Sequence, residues 1–342
     1  MKELYVDTFI KDQSPMLGQS KPLLVQASDG NEYFIKNNMV RLSDGRWIDE
    51  NAAFFHEVVS HNVAKYLGIT TPEIAILEIE TDVMTANSDL LFGRRFKNKK
   101  YFGSKKIYQA EQNLMENFLD LQRLGKPYIT RTWNTFFKNI SNKNEIASII
   151  AMDLLLGNFD RFNNIGNLVI GSLNNERTIF ALDHGHCFKG PSYNAHKEHF
   201  LRSNYNLTAE SKKNYIDSHI RNIVTVAQYN GTNHVNPFNL AGEVFKAIEQ
   251  HVDLSDNTDH SFIEPVYKIE RLNQQSILNF FSGVPSEWIA GGQTQIKSYS
   301  NFMYRQSRLL RDIIQRMATL GAFSNYRGGL LNWKKEELIG IQ

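Results

Sequence analysis

The sequence predicts an α+β fold in which a small, strand-rich N-terminal lobe precedes a larger, mainly helical C-terminal lobe. Short β-rich runs and one helix fill the first hundred residues, and helical periodicity dominates from about residue 107 onward. One hairpin, at 167–183, interrupts the helical part. We place the boundary after residue 96, so that the lobes span 1–96 and 97–342.

The composition is that of a globular chain. Hydrophobic residues make up 42% and charged residues 22% of the 342 residues. Residues 1–11 lack the features of a signal peptide, and the longest apolar run, 149–156, is far shorter than the ~20 residues of a membrane helix. The single cysteine, Cys187, excludes an intramolecular disulfide and fits a reducing compartment. We therefore expect a soluble, cytoplasmic protein with no membrane partner.

A hairpin and a helix organise the first lobe. The runs 23–27 and 32–36 flank an Asp-Gly pair at 29–30, which predicts a two-residue turn and places Leu23 opposite Lys36, beside a glycine turn at 17–20. A helix is predicted from about 52 to 67, ended by Gly68, with Glu57 on it. The runs 74–79 and 90–96 are predicted to be the strands that complete this lobe.

The hairpin of the second lobe is the most informative stretch. An apolar helix, 147–156, stops at Gly157, and a loop leads into a strand at 167–170; a second strand, 178–182, returns to Asp183. A turn centred near Asn175 places Asn167 opposite Asp183, where cross-strand Cβ atoms lie ~5 Å apart. Carboxylate and amide oxygens are ligands for Mg²⁺, so this pair predicts a metal site for a nucleotide, with Asp160 nearby.

Phosphoryl transfer requires positive charge on the phosphates and a base directed at the nucleophile. Lys36 and Asp160 are candidates for these tasks, and Glu57 is the candidate that holds Lys36 by an ion pair. The order Lys, helix Glu, loop Asp with Asn, and then Asp-x-Gly is the order of kinases.

Several segments resemble the motifs of the HipA-like kinase family, and they occur in that family's order. They are GQSKPLLV at 18–25, EYFIK at 32–36, HEVV at 56–59, NFDR at 158–161 with GNLV at 166–169, and LDHGHCF at 182–188. VPSEW at 284–288 resembles a further signature, so the likeness runs from about residue 14 to 315. Phosphatidylinositol kinases are similar more distantly.

The resemblance implies a two-lobed, protein-kinase-like fold and a phosphotransferase that uses ATP and Mg²⁺. It implies Lys36 on the phosphates, Glu57 beside it, Asp160 as catalytic base and Asn167 with Asp183 on magnesium; a phosphate loop would consist of Gly18, Gln19 and Ser20. The acceptor is a hydroxyl of a protein Ser or Thr, a small alcohol, a lipid head group or a nucleic acid, and the sequence does not choose among them.

Two departures from related patterns keep a second function open. Families of this kind carry Asn five residues after the catalytic Asp, where this chain has Ile165; we assign that role to Asn167, with Asn164 as the alternative. Phe162 stands where phosphatidylinositol kinases have histidine. A nucleotide-binding pseudokinase is therefore the alternative to an active kinase.

Two other clusters invite different functions that we consider weaker. Five potential ligands could form a transition-metal site or a thiol hydrolase: His184, His186, Cys187, His196 and His199. Cations interleave with aromatic residues at 94–106, where a solvated face is favoured over a site for nucleic acid or an acidic substrate. The net charge of +2 does not by itself indicate a nucleic-acid partner.

Overall fold

A computed structural model describes residues 1–10, 22–97, 99–111, 124–125, 130–162, 164–202, 208–229 and 242–334. The strands are β1 Lys2–Phe9, β2 Leu23–Ala27, β3 Glu32–Ile35, β4 Met39–Arg41, β5 Trp47–Asp49, β6 Ile74–Glu78, β7 Lys100–Lys105, β8 Leu168–Leu173 and β9 Glu176–Ala181. The helices are α1 Ala53–Leu67, α2 Thr81–Ala86, α3 Ser88–Phe92, α4 Thr130–Phe136, α5 Ile146–Leu156, α6 Ala195–Arg202, α7 Ala209–Tyr229, α8 Glu243–Ile248, α9 Ile263–Glu270, α10 Gln274–Asn279 and α11 Gly292–Thr319.

The N-terminal strands close into a barrel with the order β1-β2-β3-β7-β6. Strands β1 and β6 pair in parallel, and the other neighbours pair antiparallel. The remaining described elements are mainly helical, apart from the β8–β9 hairpin. This arrangement confirms the predicted α+β class, with a strand-rich first part and a helical second part.

Helix α1 lies between two hydrophobic cores, one inside the barrel and one in the helical part. Phe54 and Val58 belong to the barrel core, whereas the predicted stripe of Phe55, Val59, Val63 and Leu67 belongs to the helical core. Burial of such a side chain stabilises the fold by roughly 1.5–3 kcal/mol. The helix ends at Gly68, whose φ of 76° is left-handed. Its start, stripe and stop agree with the prediction.

Helix α5 is buried on all sides. Its sequence, IASIIAMDLLL, contains one charged residue, Asp153, and the helix ends at Gly157, which has a φ of 63°. A helix that is apolar all round belongs in the centre of a fold. It therefore provides a fixed support for the loop that begins at Asn158.

The first hairpin differs from the prediction by one residue. Leu23 pairs with Ile35, not with Lys36, because Ala27 and Asn31 pair across a three-residue turn in which Gly30 has a φ of 76°. The Ala27 N–H donates to the Asn31 carbonyl at 3.0 Å. The two-residue Asp-Gly turn is thus wrong, and Lys36 lies one position beyond the last paired residue of β3.

The segment 90–96 was predicted to be a strand, and this prediction is wrong. It starts within helix α3, and Phe92 is 84% exposed, whereas Leu90 and Phe96 pack against the barrel core without forming a strand of it. The barrel takes its last strand from Lys100–Lys105, and the Lys106 N–H still bonds to Glu32 O at 2.9 Å. We therefore propose that the first lobe extends to about residue 106 rather than 96. In the described ranges, no helix has the length and apolar character to cross a membrane.

Candidate active site

Lys36, Glu57 and Asp183 meet where β3, α1 and the end of β9 converge. The Lys36 Nζ lies 2.5 Å from Glu57 Oε1 and 2.8 Å from Asp183 Oδ1. The Lys36 N–H continues the β3–β7 pairing by bonding to Phe102 O at 3.1 Å, which fixes the backbone from which the ammonium extends. The structure thus brings together three residues that the motifs single out in separate parts of the chain.

The two carboxylates hold Lys36 in its charged form. Burial disfavours the ammonium, but the charges of Asp183 and Glu57 outweigh this effect and raise the pKa of Lys36. Burial likewise disfavours the Asp183 carboxylate, and the opposing charge of Lys36 prevails, so the pKa of Asp183 falls to about 2. Both groups are therefore ionised at neutral pH.

Asp183 follows β9 in a left-handed backbone conformation. Its φ is 57°, a region that Asp visits at a cost of about 1 kcal/mol. The next N–H, that of His184, donates to Glu57 Oε2 at 3.0 Å. Glu57 therefore uses one oxygen for Lys36 and the other for the backbone beside Asp183, which ties the lysine, the helix and this turn together.

The predicted register of the second hairpin is also wrong by one residue. Asn174 and Asn175, with φ values of 52° and 64°, form a two-residue turn that sets Leu168 opposite Ala181. Asn167 therefore faces Leu182, whose N–H bonds to the Asn167 carbonyl at 3.2 Å. Asp183 lies one residue past the position opposite Asn167.

Asp160 is bonded by both asparagines that were candidates for the metal site. Asn167 Nδ2 lies 3.0 Å and Asn164 Nδ2 lies 3.3 Å from Asp160 Oδ2. Asn167 is almost fully buried. The seven-residue spacing assumed from the sequence thus brings the Asn167 side chain to Asp160, and Asn164 contacts the same oxygen.

Arg161 supports this loop from inside the protein. Its guanidinium is fully buried and donates from Nε to Asp153 Oδ2 at 2.8 Å, while Nη1 donates to the carbonyls of Asn167 and Leu182. Nη2 lies 2.9 Å from His184 Nδ1. The sequence carries no local signal of this role, because the acidic partner is on α5.

The buried groups around Arg161 have strongly shifted pKa values. Burial raises the pKa of Asp153 to about 6, although Arg161 and the amide of Asn158 act in the opposite direction. Burial and the nearby Arg161 charge lower the pKa of His184 well below its ordinary value. His184 is therefore neutral, and its Nδ1 accepts a hydrogen bond from the guanidinium.

Some of the other predicted site residues lie outside the described part of the chain, and the rest lie within it. Gly18, Gln19 and Ser20 lie outside the described residues. Phe162 is fully buried with its ring centroid 5.0 Å from that of Phe245, so the aromatic residue at this position belongs to the core. Ile165 begins a short 3-10 turn that ends at Asn167.

The cluster around Cys187 has no features of a metal or thiol site. Cys187 is buried, Ser60 Oγ lies 3.3 Å from its sulfur, and burial raises the pKa of its thiol. His184 is bonded to Arg161, and His186 lies 3.8 Å from Glu50. Within the described ranges, no group of three or more His, Cys, Asp or Glu side chains is placed to hold a metal ion.

Several cations of the basic run at 94–106 make contacts inside the first lobe. Lys100 pairs with Glu3 at 2.7 Å, and Lys106 pairs with Glu32 at 2.6 Å. Lys99 donates to Asn38 Oδ1 at 2.8 Å. The two ion pairs reduce the net positive charge that this run presents.

A protein-family model described as HipA-like kinase matches residues 9–228, a span that includes Lys36, Glu57, Asp160, Asn167 and Asp183. The chain belongs to the HipA-like kinase family. Its α+β architecture is the two-lobed fold of kinases, and its activity class is that of a kinase-type phosphotransferase. The family resemblance stated from the motifs is thereby confirmed.

Two solved structures are similar to this HipA-like kinase at low sequence identity. The proinflammatory kinase CtkA of Helicobacter pylori is 12% identical, with a TM-score of 0.48, over 93% of this chain and 99% of that one. A MAP kinase of Leishmania major is 13% identical, with a TM-score of 0.26, over 98% of this chain and 89% of that one. No curated protein matches the chain.

Proposed function

We propose that this HipA-like kinase transfers the γ-phosphate of ATP, in the presence of Mg²⁺, to a hydroxyl acceptor, with a protein Ser or Thr as the first candidate. The observation that carries the proposal is the Lys36 ammonium held between Glu57 and Asp183. Phosphoryl transfer depends mainly on positioning and charge, and this arrangement supplies a cation that two carboxylates hold in place. We also propose a cytoplasmic location, because the single cysteine is a free thiol.

Lys36 would bind the phosphates of ATP. Its raised pKa keeps the ammonium charged at any physiological pH, and its bond to Glu57 limits the positions that the side chain can adopt. The predicted loop of Gly18, Gln19 and Ser20 would contribute backbone N–H groups to the same phosphates.

Asp183 and Asn167 are the residues that would hold Mg²⁺. The donor set fits this ion, because Mg²⁺ prefers a few carboxylate or amide oxygens together with phosphate oxygens. The Asp183 side chain is 37% exposed, so it is accessible to a ligand even though Lys36 contacts one of its oxygens. Bound Mg²⁺ would offset the negative charge of the phosphates.

Asp160 would accept the proton of the acceptor hydroxyl. The amides of Asn167 and Asn164 both bond to Oδ2, which orients the carboxylate and leaves Oδ1 unused by either amide. We therefore assign the proton to Asp160 Oδ1.

A nucleotide-binding pseudokinase is the second candidate, and Ile165 at the usual asparagine position is the observation that favours it. The bond between Asn167 and Asp160 argues for the active enzyme, since an amide reaches the proposed base despite the altered spacing. A hydrolase at the His184–Cys187 cluster is not proposed, because the thiol is buried and its pKa is raised.

The test compares Asp160→Asn and Asp183→Asn with the wild type. ATP binding is measured by titration calorimetry with and without Mg²⁺, and turnover is measured as ADP release and phosphate incorporation into a panel of hydroxyl acceptors and into the protein itself. Asp160→Asn is expected to bind Mg-ATP normally and to lose turnover by at least 100-fold. Asp183→Asn is expected to lose the enhancement of binding by Mg²⁺.

The control is Asp44→Asn, which removes an exposed carboxylate paired with Arg46 on the β4–β5 turn. This variant should match the wild type in both assays. Turnover that persists in both site variants would overturn the proposal, and Mg-dependent binding without turnover of any acceptor would favour the pseudokinase.

A further inference from the structure

Consecutive side chains of α1 bind the backbone that follows Asp183. Glu57 Oε2 accepts from the His184 N–H at 3.0 Å, and His56 Nδ1 lies 2.8 Å from the Gly185 carbonyl oxygen. The helix approaches Gly185 closely, because a Cβ at that position would be 3.5 Å from the Ala53 Cβ. The turn after Asp183 is therefore held directly against α1.

The surroundings of His56 determine which of its nitrogens carries the proton. A carbonyl oxygen only accepts, so Nδ1 must donate to Gly185. The ring is fully buried, and burial lowers its pKa far below the ordinary value, so the imidazole is neutral. Nε2 is then an acceptor, and the Tyr299 hydroxyl, 2.8 Å away, donates to it. Both nitrogens of this buried ring are satisfied in one tautomer.

Tyr299 is anchored in the helical core. It lies on the 28-residue helix α11 and is fully buried, with its ring centroid 4.9 Å from that of Phe55 and 4.6 Å from that of Phe188. Burial raises the pKa of its hydroxyl, which therefore keeps the proton that it donates. The hydroxyl is thus a fixed reference point in the helical core.

We propose that His56 is a positioning residue for the Asp183 turn, and that Tyr299 holds the His56 ring in the required orientation. A directed chain of two hydrogen bonds runs from the Tyr299 hydroxyl through His56 to the Gly185 carbonyl. Gly185 lies two residues beyond Asp183, and Glu57 is the residue after His56, so displacement of His56 would move both partners of Lys36. This inference rests on the proposed function, because it assigns the turn a role in holding Mg-ATP.

A purely structural histidine would also be buried and bonded, so the test needs a readout that packing alone does not change. That readout is the Mg²⁺ concentration required for half-maximal ATP turnover, measured beside kcat and the melting temperature. Outer contacts of a metal site commonly contribute 10- to 100-fold to metal affinity or activity.

Three variants separate the hydrogen bond from the packing. His56→Leu fills the space without a donor and is expected to raise the Mg²⁺ requirement by about 10- to 100-fold. His56→Asn places an amide N–H near the position of Nδ1 and should restore most of this loss. Tyr299→Phe removes one oxygen from a packed ring and should give a smaller loss, roughly threefold to tenfold.

The matched control is His61→Leu. His61 is another buried histidine of α1, and its Nδ1 lies 3.1 Å from Thr71 Oγ1. This variant should change the melting temperature to a similar extent while leaving the Mg²⁺ requirement unchanged.

Each outcome decides the question. If the wild type is active and His56→Leu has the same Mg²⁺ requirement, the positioning role is overturned and the proposed function remains intact. A wild type that neither binds nor turns over ATP would overturn the proposed function and the positioning role with it. If His56→Leu does not fold, Tyr299→Phe decides alone, and wild-type behaviour of that variant contradicts the inference.

Discussion

Replacement of Arg161 by methionine is expected to destabilise the protein by about 3–5 kcal/mol near neutral pH. The guanidinium and its partner Asp153 are both fully buried, and the Nε–Oδ2 distance is 2.8 Å. Methionine has an unbranched, apolar side chain and donates no hydrogen bond to the four acceptors that Arg161 bonds. Asp153 would then be a buried carboxylate with no cation opposite it.

The pH dependence of this loss follows from the titration of Asp153. Burial raises its pKa to about 6 in the folded protein, against 3.8 for the free group, even with Arg161 present. A carboxyl whose pKa is raised by folding stabilises the folded state, and this stabilisation is complete below the pKa of the unfolded state. It is lost as the pH rises through the pKa of the folded state. Without Arg161 the pKa of Asp153 rises further, so the free energy of unfolding of the variant continues to fall above pH 6, where Asp153 of the wild type has already titrated.

The difference between wild type and variant is therefore expected to be small at pH 5 and large at pH 7.5. At pH 5 most Asp153 is protonated, and the remaining loss comes from carbonyls such as Leu182 O that lack their donor, at about 1 kcal/mol each. Urea unfolding followed by tryptophan fluorescence at both pH values measures the two differences.

Two controls isolate the buried pair. The double variant Asp153→Asn with Arg161→Met should recover part of the loss at pH 7.5, because no unpaired charge remains. Arg46→Met changes an exposed arginine and should stay within about 0.5 kcal/mol of the wild type. A loss below about 1 kcal/mol at pH 7.5, or an equal loss at both pH values, would contradict this prediction.

Three further predictions concern other buried positions. Burial lowers the pKa of Lys197 from 10.5 to about 7, so the free energy of unfolding of the wild type should rise as the pH increases from 7 to 10.5. Lys197→Met should lack this rise. Between pH 6.5 and 9.5 the change in the free energy of unfolding should therefore be larger in the wild type by a few kcal/mol. Cys187 is buried with a raised pKa, so a thiol reagent should modify it only as fast as the protein unfolds, and equal rates in native and denatured protein would contradict this. Gly171→Ala should lower stability by about 1–3 kcal/mol in the same urea assay, because its Cβ would lie 2.9 Å from the Tyr108 carbonyl oxygen, and an unchanged midpoint would contradict this clash.

Local sequence signals predicted the helices near the site well. The stripe that begins at Phe55 and the stop at Gly68 identify α1, and the apolar run before Gly157 identifies α5. These signals succeed because helical periodicity and a left-handed glycine act within a few residues of the element they define.

The hairpin registers could not be predicted to the residue. A turn of two residues and a turn of three differ only in the φ of one or two positions, yet they shift the pairing of every following residue. Gly30 and Asn174 adopt positive φ values that set the observed pairings. In the observed registers, Lys36 and Asp183 lie just beyond the paired strands, and their side chains bond to each other.

Contacts within the candidate site were predictable only where both partners lie in recognisable motifs. The ion pair between Lys36 and Glu57 was predicted because both residues lie in recognisable segments, whereas the contact between Lys36 and Asp183, 147 residues apart, was not predicted. The contact between His56 and Tyr299 joins positions 243 residues apart, and Tyr299 carries no motif.

Arg161 shows the same limit within a short distance. It adjoins the proposed base Asp160 in the sequence, yet its partner is Asp153 on α5. A buried guanidinium needs acceptors for its N–H donors, and the fold supplies four of them from the helix, both ends of the second hairpin and His184. Motifs therefore identify the groups proposed to contact the nucleotide, whereas burial and hydrogen-bond satisfaction identify the groups that hold them in place. Arg161 and His56 are supporting residues, and their substitution tests whether such residues can be recognised from the structure.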